Sequence, residues 1–411
     1  LPFACIFAFK AVRLVSVTFA YLFARFPSLT QTFCFREVEE MSRQMGAMPI
    51  WSLRYPDDFS EDCPVELAAR TRYLPDRDQL KQMFCSTRAM LGDFPLSVIW
   101  QVKRWGEKKG KYRLYEAAWL GRELKEQGIT HVHTHFAGIG ARTAWWMSKF
   151  YGISYSFTGH ANDMFCSNDD PLLLQDLVDQ SSFVVTVSDF SREWLLIQCP
   201  DSSAKIHRIY NGMESRCLPA SGAKTLPPKI VSVGRLITKK GFQYLVEACA
   251  LLRDSGLDFH CEIIGNGPLE DDLRYQIQQL RLDDCVELAG ALPWQEVNSR
   301  LNASSVFVLP CVSDDGGGMD NLPTVILEAM NAALPVVSTR LAAVPEMVDE
   351  GITGFLVDEC DASALADAVG HILKMPDCGQ AIGRAGKDYA EKKFSVVQTV
   401  SSLMSLIKQS L

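Results

Sequence analysis

Residues 229–242 read KIVSVGRLITKKGF, and the parsing of this stretch decides the fold. The run from Lys229 to Val233 is short and apolar, it stops at Gly234, and a helical pattern resumes beyond Gly241. A buried strand that leaves through a glycine loop is the repeating unit of a parallel α/β sheet. Downstream, FHCEIIGNG, CVELAG, VFVLP, PVVST and GFLV repeat it; upstream, RLVSVTFAYLF, THVHTHF, ISYSFTG and FVVTVS do so. Strands alternating with helical segments predict an α/β protein of doubly wound parallel sheets covered on both faces.

Between Gly212 and Lys229 the alternation lapses into Ser, Pro, Ala and Gly, with Pro219, Pro227 and Pro228 as breakers. This stretch reads as a linker. It predicts two Rossmann-like domains facing a central cleft, one over 1–215 and one over 228–394, with a closing helix over 395–411 that returns to the first. A chain of 411 residues is long enough to give each half its own core. The first half opens as a strand, a turn at Pro27 and a helix from Thr30 to Met41. Ligands of such sheets sit outside the carboxyl ends of the strands, so the expected site is the groove between the halves.

Composition removes several classes. A net charge of -8 argues against a protein that coats nucleic acid, whose phosphates demand a basic surface. The 13 cysteines lack CxxC pairs and regular spacing, the pattern of reduced thiols in a cytosolic protein. Lys10, Arg13 and Arg25 divide the apolar N-terminal stretch into runs shorter than a bilayer span, and no cleavage pattern of a signal peptide follows. The segment KRWGEKKGKYRLYEAAWL, starting at Lys103, mixes basic and aromatic residues. It suits contact with anionic lipid headgroups and equally a solvated helix face.

Three stretches carry chemistry. After Gly234, Arg235 and Lys240 follow within one loop; a planar fork of donors and a compact point charge together suit a diphosphate. In CEIIGNGPLEDDL, Gly265 and Gly267 let the backbone lie against a flat ligand such as a base or ribose. In SDDGGGMDNLPTVILEAMNAALPVV, a Gly316–Gly318 loop precedes a helix that begins near Leu322 or Pro323. Its free amides and dipole attract a phosphate. Asp320 lies just before this helix and Glu328 within it, a carboxylate pair suited to sugar hydroxyls.

In this order, GRLITKKG, IIGNGPLE and DNLPTVILEAMNAALPVVST resemble the donor-binding half of the retaining glycosyltransferases of family 4, which have the GT-B fold. The likeness spans most of Ile230 to Val357. FPSLTQTFCFREVEEM, HVHTHFA and YSFTGHANDMF are similar to the branch that builds bacterial exopolysaccharide and lipopolysaccharide, including colanic-acid-type transferases. The resemblance implies that Arg235 and Lys240 bind the diphosphate of a nucleotide-sugar donor. It places Asp320 at the first acid of the family's E-x7-E pattern, on the transferred sugar, and Glu328 at the second, on the ribose. Backbone amides of Leu322, Thr324 and Val325, beside Pro323, approach the phosphates or the sugar. His160 matches the family's cleft histidine, with Asp163 and His135 on the acceptor side. The implied acceptor is lipid-linked or an oligosaccharide, and the implied place is cytoplasmic, extending to peripheral contact with the inner face of a membrane. No metal and no other cofactor is expected. Two departures stand out: the first acid is Asp, a methylene shorter than Glu, and ARFPSLTQTF replaces a glycine-rich first loop.

His131, His133 and His135 alternate, so on a strand they share one face. That admits a metal-dependent hydrolase built on an HxH pair, although no second ligand cluster accompanies it. A nucleotide-binding paralogue without turnover is the other alternative, left open by Asp320. The acidic pairs Asp169-Asp170 and Asp314-Asp315 lack the spacing of a DxD metal site.

Overall fold

The computed structural model describes residues 18–28, 31–56, 65–85, 94–105, 111–165, 172–214, 226–314 and 316–411. The N-terminal apolar stretch, most of the proposed linker, the acidic run at 168–170 and much of the basic aromatic segment lie outside the described residues.

Seven parallel strands form the first sheet: β1 Phe19–Arg25, β2 Ile50–Arg54, β3 Thr71–Tyr73, β4 His131–His135, β5 Ser154–Gly159, β6 Val184–Thr186 and β7 Ile206–Arg208, in the order β3-β2-β1-β4-β5-β6-β7. Six more form the second: β8 Lys229–Val233, β9 His260–Ile264, β10 Val286–Gly290, β11 Val306–Leu309, β12 Val336–Thr339 and β13 Gly354–Val357, in the order β10-β9-β8-β11-β12-β13. Each sheet starts at an inner strand, grows outward and then reverses beside its own first strand. The crevices at β1/β4 and β8/β11 are therefore the switch points where ligands of open α/β sheets bind.

Strands covered on both faces need apolar side chains throughout, and Val306–Leu309 and Val336–Thr339 are wholly buried. The strand β4 breaks this rule in composition but not in burial: HVHTH is buried at every position. Its parallel register with β5 sets His131 beside Ser154, His133 beside Ser156 and His135 beside Thr158. The hydroxyls of β5 supply partners that the imidazoles need once water is gone.

Helix α1 spans Thr32–Met45, starting two residues later than the sequence pattern suggests, and buries Cys34, Phe35, Val38 and Met41. Helix α2, Asp189–Gln198, follows β6; α3, Phe242–Asp254, follows β8; and α4, Thr324–Asn331, follows β11. The closing helix α5, Val396–Ser410, packs on α1, with Val400, Leu403 and Ile407 joining the cluster of Phe19, Phe35 and Met41. The chain thus passes twice between the halves, and the crossings touch where Met213 N donates to Phe394 O at 2.7 Å and Val396 N donates to Met213 O at 3.1 Å.

Leu403 is 2 % exposed. Leu403→Ala should cost about 2–5 kcal/mol of stability, the usual range for emptying a core leucine site. Gln398→Ala on the exposed face of the same helix should stay within about 0.5 kcal/mol. Urea unfolding of both variants checks this: equal midpoints mean that α5 adds nothing to the first domain.

Candidate active site

The loop after β8 is shaped by close backbone contact. Gly241 has φ +66°, and a Cβ there would stand 1.8 Å from the carbonyl oxygen of Pro310, so no other residue fits without moving β11. The loops after β8 and β9 press together just as closely. A Cβ on Gly265 would meet Gly234 O at 1.9 Å, and one on Gly267 would meet Leu236 O at 2.5 Å. The close approach that Gly265 and Gly267 permit is to the protein's own backbone, and neither is among the residues lining the cleft described next.

A cleft of about 470 Å³ opens between the domains at the two switch points. From the second domain Gly234, Arg235, Lys239, Lys240, Asp320 and Leu322 to Val325 line it. Two lysines hold one carboxylate: Lys239 Nζ lies 3.0 Å from Asp320 Oδ1, and Lys240 Nζ 2.5 Å from Oδ2. Burial raises the Asp320 carboxyl, but Lys240 and then Lys239 outweigh it and leave it below the ordinary value. Burial likewise disfavours the charge of Lys240, yet Asp320 raises its pKa. Two ammonium groups against one carboxylate leave a positive surplus. Arg235, exposed in the same loop and without an ion pair among the described residues, adds to it.

The surplus is met by a helix end. Pro323 caps α4 with φ -65°, and the amides of Thr324 and Val325 open its first turn toward the same cleft. The preceding glycine loop is closed by Asp314, whose Oδ1 accepts from Gly316 N at 3.0 Å and Gly318 N at 2.7 Å.

The first domain contributes His160, seated after β5 with its ring against Phe33 and Phe136 at centroid distances of 4.6 and 4.5 Å. Phe136 takes the left-handed region, φ +69°, a costly conformation for a bulky residue. Asn321 locks the histidine from across the cleft: its Nδ2 donates to His160 O at 2.7 Å while its Oδ1 accepts from Ser188 Oγ at 2.8 Å. Burial, reinforced by neighbouring His135, drives His160 well below the ordinary imidazole value, so it is neutral.

Three expected roles change. His135 does not end at the cleft; it is 1 % exposed and reaches the cleft only through His160, Nδ1 to Nε2 at 3.0 Å. Asp163 lines the cleft, but its carboxylate is occupied by the amides of Ala137 and Ala161, both at 2.8 Å, and of His160. It closes a turn. Glu328 lies outside the lining and is bound across the domains by Arg36 Nη2 at 2.9 Å.

Five contributors were not visible in sequence: Lys239, Arg36, Asn321, Ser188 and Glu37. Lys239 stood inside the quoted motif and carried the same signal as its neighbour. The others act across 98 to 292 residues of chain, a distance over which no local pattern speaks. Glu37, His133 and His135 place ligand-type atoms within 4.8 Å of one another. The ring nitrogens of both histidines already have hydrogen-bond partners in Ser156, Thr158, His160 and Glu37.

Two facing Rossmann-like sheets with a cationic cleft at their switch points define a GT-B glycosyltransferase. The model described as Glycosyl transferases group 1 matches residues 218–389, and the model described as Glycosyltransferase Family 4 matches residues 71–215. The chain belongs to glycosyltransferase family 4, in its exopolysaccharide branch. It is 29% identical over 365 residues to the putative colanic acid biosynthesis glycosyltransferase WcaL of Escherichia coli K12, covering 84% of this chain and 88% of that one. It is 36% identical over 180 residues to the amylovoran biosynthesis glycosyltransferase AmsK of Erwinia amylovora, covering 43% of this chain and 44% of that one. Anabaena Alr3699/HepE in complex with UDP shares the fold with a TM-score of 0.67 at 15% identity, over 95% of this chain and 100% of that one.

Asn321→Ala strips a partner from the His160 carbonyl and from Ser188. The loss of stability should be about 1–3 kcal/mol. Sugar transfer should fall more than nucleotide affinity, which melting curves, rate assays and calorimetry on the same preparation will separate; unchanged transfer refutes the lock.

Proposed function

We propose that this glycosyltransferase moves a sugar from a nucleotide diphosphate sugar to a hydroxyl of a lipid-linked or oligosaccharide acceptor, with the anomeric configuration retained. No metal or other cofactor takes part in this reading. The observation that carries it is the positive surplus of Lys239, Lys240 and Arg235 at the open end of α4, all lining one cleft.

Departure of a nucleoside diphosphate builds negative charge on the leaving oxygens. Preorganised cations and helix amides stabilise that charge as it grows, with no reorganisation at the moment of reaction. Asp320 keeps Lys239 and Lys240 together and stands at the sugar end of the helix, while neutral His160 faces the same space. Among the described residues that line the cleft, both carboxylates are engaged: Asp320 is clamped and Asp163 is held by amides. Attack by the acceptor on the face that the leaving group vacates fits this arrangement. The printed descriptions of the relatives, colanic acid and amylovoran biosynthesis, support a cell-surface polysaccharide as the product. A lipid-linked acceptor places the enzyme as a peripheral protein at the cytoplasmic face of a membrane; among the described residues no helix is long and apolar enough to cross one.

A panel of UDP-, GDP- and ADP-sugars, with NMR of the anomeric proton in the product, tests the reading. Arg235→Ala and Lys240→Ala should each lower kcat/KM by about 10²–10³, the scale of losing one transition-state donor. Wild-type rates in both variants, an inverted product, or loss of activity in EDTA each overturn the part they address.

A further inference from the structure

Behind His160 runs a buried polar chain that the transfer reading leaves unused. Glu37 of α1 accepts two hydrogen bonds on Oε1, from Tyr21 Oη at 2.9 Å and from His135 Nε2 at 3.0 Å. His135 Nδ1 in turn lies 3.0 Å from His160 Nε2. We propose that Glu37 is a positioning residue: acting through His135, it fixes His160 as a hydrogen-bond donor whose Nδ1–H points at an oxygen of the bound sugar donor. This inference rests on the cleft being the site of sugar transfer.

The contacts along this chain limit where its protons can sit. An ionised carboxylate only accepts, so His135 carries a proton on Nε2. One further proton lies between His135 Nδ1 and His160 Nε2. If it belongs to His160, that ring is protonated on Nε2 and Nδ1 is a bare acceptor. If it belongs to His135, the latter is an imidazolium and His160, still neutral, carries its proton on Nδ1. Nδ1 is the one ring nitrogen of His160 without a partner among the described residues, on a side chain that lines the cleft.

The groups facing the pair choose the second state. From β1 comes Tyr21, from α1 Cys34 and Glu37, from β4 His133, and from the loop after β5 His160 itself. Burial opposes a charge on His135, but the Cys34 sulfur and the Glu37 carboxylate outweigh it and raise His135 well above the usual imidazole value. Burial and then Glu37 push the Cys34 thiol up while its hydrogen bond with His135 pulls it down, so the sulfur and the Glu37 carboxylate face His135 together. Partial burial raises Glu37 too, and His135, His133 and Tyr21 bring it below its ordinary value. Burial pushes His133 down to about 3, so it contributes no positive charge. Arg36, next in sequence, is committed to Glu328. A Glu37–His135 ion pair, with Tyr21 Oη on the same carboxylate oxygen, therefore sets a positive ring against the charge of Glu37. The sign follows: the donor form of His160 exists below the raised His135 pKa and is lost above it.

Glu37→Gln keeps an acceptor oxygen and removes the charge. His135 then falls to neutrality and His160 turns from donor to acceptor. We expect kcat to drop roughly 10–100-fold, the scale of losing a partner that orients a functional histidine. We also expect activity to recover on acidification from about pH 8 to 6, where the wild type is flat. Glu37→Asp should restore part of kcat and remove the pH limb. In a His160→Ala background, Glu37→Gln should cost nothing further; the same fold-loss in both backgrounds marks a merely structural role and overturns the proposal. Histidine 15N NMR of the wild-type protein needs no variant: a proton on His160 Nε2 also overturns it. Near-normal transfer by His160→Ala sinks the underlying assignment of His160 to the reaction, whichever tautomer NMR finds.

Discussion

The site is organised by one carboxylate clamped between two lysines. Asp320 sits on the last residues before α4, Lys239 and Lys240 on the loop after β8, and each oxygen of the acid takes one ammonium. The clamp fixes how far the β8 loop stands from the helix end, and so sets the width of the cleft between them. It also permits two lysines to sit side by side in a sheltered place, with the exposed Arg235 beyond them. Without the acid, two neighbouring lysines would repel at close range and at least one would lose its proton or leave the cleft. With it, the cluster stays cationic, and the remaining positive charge and helix amides are directed at a ligand.

The same economy governs the contact between domains. Glu346 of the second domain receives the amides of Asp189 and Phe190, both at 2.8 Å, and so caps α2 of the first. Asn321 bridges Ser188 and His160, and Arg36 reaches Glu328. These polar contacts stand beside an apolar one: Val187, Tyr210 and Met213 of the first domain join the apolar cluster of the second, with Phe190 packed against it. At the rear α5 docks on α1 and the two crossings touch. A joint at the back and polar latches at the front suit a cleft that must admit and release a charged ligand.

Sequence made the frame legible because parallel strands announce themselves as short apolar runs that stop at a breaker, glycine in KIVSVG and CEIIGNG and proline in VFVLP. Arg235, Lys240 and the Pro323 helix start were legible because their signals are local. The ion pair of Glu328 with Arg36 was not legible for the opposite reason: the two lie 292 residues apart. Glycine reports close approach without saying to what, and at Gly265 and Gly267 the neighbour is the protein's own backbone. Turn-closing and substrate-facing aspartates look alike in sequence, and Asp163 closes a turn through the amides of Ala137 and Ala161.

The strand HVHTH shows how far chemistry can depart from composition without disturbing the fold. Three imidazoles in a wholly buried strand would be ruinous if any ring nitrogen lacked a partner, since each unpaired polar group costs several kcal/mol. The parallel register answers this residue by residue: His131 takes Ser154 and Ser156, and His133 takes Ser156 and Thr158. Burial then lowers both toward neutrality, to about 4 and about 3. His135 is the exception, because the β5 ladder ends and α1 supplies a carboxylate in place of a hydroxyl. A hydroxyl satisfies either form of imidazole, whereas a carboxylate accepts only from its N–H. The change of partner along one strand, from neutral to charged, is what singles out the histidine nearest the cleft and gives the ring beyond it a fixed polarity.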